Sequence, residues 1–248
     1  MQDKLEEISH FDEFTSEKPW NAFTDKSYNK IINLFIKKLN PNSNDIIIDM
    51  GCGTGELAEK IKSKKFSNVI GLDISKNCIL MAKKQYKGIK FRVGDIEKTG
   101  FKNNSIDVIF YCGILHHFMN REKVLNEANR ILKNNGKLFI FEPHDGNPIL
   151  WLFRNEKSPL KSNKLKTPNE KFLRKEEIIS DLKKSKFKII DLNCSSGISY
   201  TKEHFEKLLP FPFYYAVYLY NLFDLFLDNS PFRNNFGSYI YACAKKSL

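Results

Sequence analysis

The chain is short of acidic charge: 29 Asp and Glu stand against 40 Lys and Arg in 248 residues, a formal net charge of +11. That balance excludes an acidic, solvating chain and favours anionic partners without choosing among phosphate, phospholipid and nucleic acid. No apolar run approaches the roughly 20 residues that a membrane-spanning helix requires. The five cysteines, Cys52, Cys78, Cys112, Cys194 and Cys243, form no C-x-x-C pair. Neither a disulfide frame nor a zinc site is expected from them; they read as reduced, cytosolic thiols. Met1 to Ser9 carries three acids and no apolar block, so no secretory leader is read and a cytoplasmic location is expected. No internal repeat is apparent. Apolar residues at 42% and charged residues at 28% are ordinary for a globular protein, and the length suits one domain with embellishments.

The most informative stretch runs Ile46-Ile47-Ile48-Asp49-Met50-Gly51-Cys52-Gly53-Thr54-Gly55-Glu56. A β-branched run stops at an acid and enters three glycines spaced two apart, after which helix-forming residues resume. This is a buried strand turning tightly into a helix, with bare backbone at the turn and free N–H groups facing whatever binds there. The spacing is G-x-G-x-G with Glu56 next, and not the G-x-G-x-x-G of a dinucleotide site.

Alternation of strand and helix patterns continues along the chain. Residues 24 to 39 have one apolar helical face, and Val69 to Asp73 is a second strand followed by Ser75, placed to cap the next helix. Ile89 to Val93, Ile106 to Tyr111, Lys137 to Glu142, Phe187 to Leu192 and Ser238 to Ala244 read as further strands, and Asn134-Asn135-Gly136 as a turn. The fold class is therefore α/β, a doubly wound, mostly parallel sheet with helices on both faces.

With Asp49 upstream of the glycines, the chain resembles the class I S-adenosylmethionine (SAM) dependent methyltransferases, in particular the subgroup containing the ubiquinone and menaquinone biosynthesis enzymes. The resemblance covers roughly residues 20 to 145 and includes Leu115-His116-His117, similar to that family's frequent LHH run. It implies a seven-stranded Rossmann-like sheet whose last strand is antiparallel, with SAM as cofactor and S-adenosylhomocysteine as product. It also implies that Gly51, Cys52, Gly53 and Gly55 wrap the methionine and ribose, while Asp49 orients the amino end of methionine. Asp73, followed by Ile74, matches the ribose-binding acid, and Asp95-Ile96 match the adenine site. Tyr111 and Cys112 end the fourth strand, where the methionine part would lie.

Methyl transfer from an activated sulfonium needs in-line alignment more than covalent help, and a base only when the methyl acceptor must lose a proton. His116 and His117 are the candidate bases, directly after the fourth strand; Glu142, His144 and Asp145 could orient a polar methyl acceptor. Adjacent in sequence, the two histidines are not expected to share a face, so no metal site is read. His10 and Trp20 are assigned to an N-terminal flap.

The chain is divided into a helical flap (1–40), a SAM-binding half (41–145), a basic insertion (146–175) and a substrate-side half (176–248) with an aromatic helix over 208–227. Between Arg154 and Lys175 eight basic residues face two acids, and Pro210 to Leu227 contains eight Phe or Tyr. The aromatic helix reads first as a core helix or dimer interface. The alternative is a cap meeting lipid, with the basic insertion on anionic headgroups and peripheral membrane contact. The Asp/Asn-Pro-Pro-aromatic motif of amino-methylating DNA enzymes is missing, since Tyr111-Cys112-Gly113-Ile114 stands there, and a nucleic-acid substrate is not expected. The expected function is methyl transfer from SAM to a small molecule, hydrophobic or lipid-linked. An RNA-modifying methyltransferase and a SAM-binding protein without catalysis are the alternatives; the sequence leaves the oligomeric state open.

Overall fold

The computed structural model describes residues 4–14, 21–154, 157–158, 169–209 and 211–247. In chain order the elements are α1 (Lys4–Phe14), α2 (Asp25–Leu39), β1 (Ile46–Met50), α3 (Glu56–Ser63), β2 (Asn68–Asp73), α4 (Lys76–Gln85), β3 (Lys90–Val93) and β4 (Ile106–Cys112). There follow α5 (Arg121–Ile131), β5 (Leu132–Pro143), α6 (Pro148–Arg154), α7 (Lys175–Lys184), β6 (Phe187–Ser195), α8 (Lys202–Leu208), α9 (Ala216–Asp228), α10 (Arg233–Phe236) and β7 (Tyr239–Lys246).

Local chemistry sets the helix ends. Thr24 accepts the Ser27 N–H at the start of α2, Lys37 and Lys38 sit in its last turn, and Asn40 stops it in the left-handed region at φ 44°. Ser75 caps α4 by accepting the Cys78 N–H at 3.0 Å, as its position in the sequence predicts.

The seven strands form one sheet in the order β3-β2-β1-β4-β5-β7-β6. β1 to β5 are parallel, while β7 runs antiparallel between β5 and β6. Successive strands move outward from β1 in one direction and from β4 in the other. The crevice beyond the carboxyl ends of β1 and β4 is thus the topological switch point where an open sheet of this kind binds its ligand. On one face Phe35 of α2 packs edge-on against Phe110 and Phe139, with ring centroids 5.1 and 5.6 Å apart. On the other, Ile109, Tyr111 and Leu138 bury against Leu125 and Ile131 of α5 and Leu182 of α7.

Two elements differ from the sequence reading. Asn134-Asn135-Gly136 does not end a helix and start a strand. It lies inside β5, with Asn135 at φ 62° and a register shift against β4 between Ile106 and Val108, a bulge that absorbs the extra residues. The aromatic helix expected over 208–227 is instead α8, a short 3-10 turn at Phe213–Tyr215, and α9. Nor is it fully buried. Val217, Tyr220, Asp224 and Leu227 face inward, whereas Leu219, Leu222 and Phe226 are 72%, 66% and 66% exposed. The cause is the polar pair within the run. Asn221 accepts the Tyr200 N–H at 2.9 Å and donates to its carbonyl at 3.0 Å. Asp224 accepts from the Ile198 N–H at 2.7 Å and the Ser238 hydroxyl at 2.5 Å. The polar side chains anchor the helix inward and turn its greasiest face out. Among the described residues no helix is long and apolar enough to cross a membrane.

Candidate active site

The glycine turn after β1 is held from the next strand. Gly51 donates its N–H to the Leu72 carbonyl at 2.7 Å. Asp73, at the end of β2, accepts the Gly53 N–H on Oδ2 at 2.8 Å and the Ser75 N–H on Oδ1 at 2.9 Å. Burial raises the Asp73 pKa, and these backbone donors pull it back. The glycines differ in what they do. A Cβ on Gly55 (φ 90°) would lie 2.8 Å from the Phe91 ring, whereas one on Gly53 would meet nothing within 4 Å. Gly55 makes the turn and its packing possible; Gly53 leaves bare backbone facing open space.

That space is a cavity of about 270 Å³ along the carboxyl ends of the strands. Because β2 and β1 separate β3 from β4, the residues after β3 and those after β4 mark its two ends. Ile74, Cys78, Asp95 and Ile96 line the first; Cys112, Ile114, His116 and His117 line the second. Asp49, Gly51, Cys52, Gly53 and Asp73 lie between them, and an aromatic wall of Phe23, Tyr28, Tyr200 and Tyr239 completes the enclosure. Helix α1 roofs it. Lys4 bonds Asp95 at 2.5 Å and also pairs with Glu97, Asp12 bonds the Ser75 hydroxyl, and Phe11 meets the His117 ring edge-on at 5.5 Å. The expected N-terminal flap is thus a helix in the described part; the His10 side chain, Trp20 and most of the basic insertion lie outside the described residues.

A cationic, adenosyl-bearing group fits these residues. Asp49 is 1% exposed and its Oδ2 has no hydrogen-bond partner among the described residues. Burial, reinforced by the Asp73 charge, pushes its pKa up to about 7 against the pull of the Ala58 backbone. A buried acid in that state is stabilised by a cation, and a SAM molecule carries one at the sulfonium and one at the ammonium.

At the other end, Glu142 from β5 organises the loop after β4. Its Oε1 accepts the Ile114 and Leu115 N–H groups at 3.0 and 2.9 Å, and its Oε2 lies 2.7 Å from His116 Nδ1. The segment Leu115–His117 is a 3-10 turn, and it brings the two imidazoles together with ring centroids 4.1 Å apart. The two rings are thus in contact, where adjacency in sequence leads one to expect that they share no face. Ligand atoms of His116, His117 and Glu170 all lie within 4.8 Å of one another.

Not every predicted residue reaches the cavity. Tyr111 is fully buried on the opposite face of the sheet, in the cluster with Ile109 and Leu125, and burial raises its pKa. Gly55 supports the turn from behind. His144 is bonded to the Gly237 carbonyl at 2.9 Å, and Asp145 pairs with Arg174 at 2.9 Å. Glu142 does reach the histidines, through His116 Nδ1. Conversely, Glu7, Phe11, Glu170, Phe172, Tyr200 and Tyr239 line the cavity without any motif that marks them in the sequence.

This strand order, with a glycine turn and acids at successive strand ends, is that of the Rossmann-like methyltransferase fold. A family described as a methyltransferase domain matches residues 48–140. An uncharacterized protein of Methanocaldococcus jannaschii is 32% identical over 239 residues, covering 92% of this chain and 87% of that protein. A demethylmenaquinone methyltransferase of Thermotoga maritima is 33% identical over 119 residues, covering 48% of this chain and 51% of the enzyme, so the chain spans about half the length of that relative. The solved 4+2-cyclase SpnF shares the fold with a TM-score of 0.68 at 14% identity, covering 100% of this chain and 97% of that one. The chain belongs to the class I SAM-dependent methyltransferases, and SAM is its cofactor.

Proposed function

We propose that the protein methylates an apolar small molecule, bound against the aromatic wall with its reacting group at the His116–His117 pair. The observation that carries this reading is the continuity of one cavity, from the acids after β2 and β3 to the wall of Phe23, Tyr28, Tyr200 and Tyr239. An aromatic wall suits a flat or greasy methyl acceptor. The partial relatedness to a demethylmenaquinone methyltransferase supports a ring compound of quinol type.

SAM, when bound, supplies an activated methyl group. The chain's own residues align and deprotonate. Asp73 and the Gly53 backbone hold the ribose, Asp95 and Ile96 the adenine, and Asp49 the charged end of methionine, beside Cys112. Glu142 fixes His116 through Nδ1, which leaves Nε2 to take a proton from a hydroxyl as that oxygen attacks. The roof of α1 excludes water, which would otherwise compete for the base. Incubating the protein with methyl-labelled SAM and a lipid extract should label a small organic-soluble product. Label found only in RNA or protein would overturn the reading.

The methyl acceptor is taken from a lipid surface. The outward face of α9 presents Tyr218, Leu219, Leu222, Leu225 and Phe226 with no acidic side chain among them, and Lys202 lies at its margin over the Tyr214 and Tyr215 rings at 5.1 and 5.3 Å. An apolar helical face with an aromatic margin suits the interface of a bilayer; Lys202 there is paired with Glu206 at 3.0 Å. The inner face of the same helix abuts Tyr200 through Tyr220, so α9 alone separates its exposed apolar face from the cavity wall. Flotation with anionic vesicles should carry the protein up, and Leu222→Glu should prevent it; indifference to vesicles would remove this part of the proposal.

A further inference from the structure

We infer that His116, His117 and Glu170 form a binding site for a divalent transition-metal ion at the methyl-acceptor end of the cavity. The inference rests on the reading that the reacting group lies at the histidine pair. Their ligand atoms are within 4.8 Å of one another. Ions of this kind sit about 2.0–2.2 Å from imidazole nitrogen and carboxylate oxygen, so ligands around one ion are separated by about 4 Å at most. Closing the remaining gap takes a side-chain shift of a few tenths of an ångström to about 1 Å.

The surroundings have the features that such a site requires. Glu142 Oε2 lies 2.7 Å from His116 Nδ1, and Glu7 Oε2 lies 3.5 Å from His117 Nδ1. The Glu142 bond fixes the His116 ring through Nδ1 and leaves its Nε2 for an ion, the arrangement found behind metal-binding histidines, while the Glu7 carboxylate lies beside His117 Nδ1. Asn169 donates to the other oxygen of Glu7 at 3.2 Å and holds it in place. Glu142 is 0% exposed and holds His116 from within the fold.

Two imidazoles and one carboxylate suit zinc, iron(II), manganese or cobalt better than magnesium, and leave coordination positions open. Those positions face the cavity, where a hydroxyl of the methyl acceptor would complete the shell. An ion there lowers the pKa of a bound hydroxyl. In that state the imidazoles act as ligands, and the hydroxyl's proton is lost to solvent as the methyl acceptor enters the site, before methyl transfer. The oxygen lone pair then forms the new C–O bond as the C–S bond breaks, releasing neutral S-adenosylhomocysteine.

The test uses the full chain, stripped with a chelator and titrated with Co²⁺ and Zn²⁺ in the absence of SAM and methyl acceptor. Calorimetry should show one equivalent bound, and Co²⁺ should give a visible absorption band of nitrogen and oxygen ligation. Glu170→Gln and His117→Ala should each weaken binding by about tenfold or more, with the SAM affinity of Glu170→Gln retained as proof of folding. Absence of stoichiometric binding, or binding equal in wild type and both variants, overturns the site. If no ion binds while His116→Ala still abolishes methyl transfer, the metal site falls and the proposed function stands. If the ion binds as expected and no small molecule is methylated, the site stands and the proposed function falls.

Discussion

Asp73 Oδ2 accepts the Gly53 N–H at 2.8 Å, so the acid at the end of β2 shapes the glycine turn after β1. A ribose held by this carboxylate is held by a group already fixed to the backbone it lies against. Asp73→Ala removes both the ligand contact and the brace. SAM affinity should fall by about 1–3 kcal/mol, read by calorimetry, and an unchanged affinity would reject the role.

The two glycines of the turn should separate stability from binding. Gly55→Ala puts a Cβ 2.8 Å from the Phe91 ring at φ 90°, and should lower unfolding stability by about 1–3 kcal/mol. Gly53→Ala meets no neighbour within 4 Å, so its stability cost should stay near about 1 kcal/mol while SAM binding falls tenfold or more. Denaturant melts and binding isotherms on the same two proteins check the contrast.

The buried acid at the end of β1 should make both stability and binding pH-dependent. The Asp49 pKa stands at about 7 against an ordinary 3.8, so the fold favours its neutral form. Its contribution to stability is complete below about pH 4 and is lost as pH rises towards 7. A cationic cofactor reverses the preference, so SAM affinity should increase as pH rises through 7. Asp49→Asn should flatten both profiles and weaken SAM binding at pH 8, as melting temperatures and isotherms across pH 5–8 would reveal.

The anchor of α9 should matter more than its exposed face for folding, and less for lipid. Asp224→Ala leaves the Ile198 N–H and the Ser238 hydroxyl without their shared partner, a loss of about 2–4 kcal/mol. Phe226→Glu, at a 66% exposed position, should leave the melting temperature within a few degrees and reduce vesicle binding severalfold.

The half of the site nearest the glycine turn is legible in the sequence because its residues belong to short strand-to-loop segments, each acid marking where a strand stops. Asp49, Asp73, Asp95 and Ile96 are of this kind. Alternation along β4 separates Tyr111 from Cys112 but does not say which of them faces the crevice; Tyr111 packs with Ile109 and the α5 side chains instead. The roof and the aromatic wall were out of reach because Phe11, Phe23, Tyr200 and Tyr239 meet only through long-range packing. Asn221 and Asp224 looked like interruptions of a buried helix, yet they fix which side of it is hidden. The contact between the His116 and His117 rings depends on the local turn after β4 and on side-chain packing, which no spacing rule in the sequence specifies.

Helix α1 touches Asp95 through Lys4 and the His117 ring through Phe11, so a single element covers both ends of the cavity. With the seats assigned under the proposed function, spent cofactor and methylated product would share one door. On that assignment, the cycle time would be set by how often the eleven residues of α1 lift away together, whatever the speed of the chemistry beneath them.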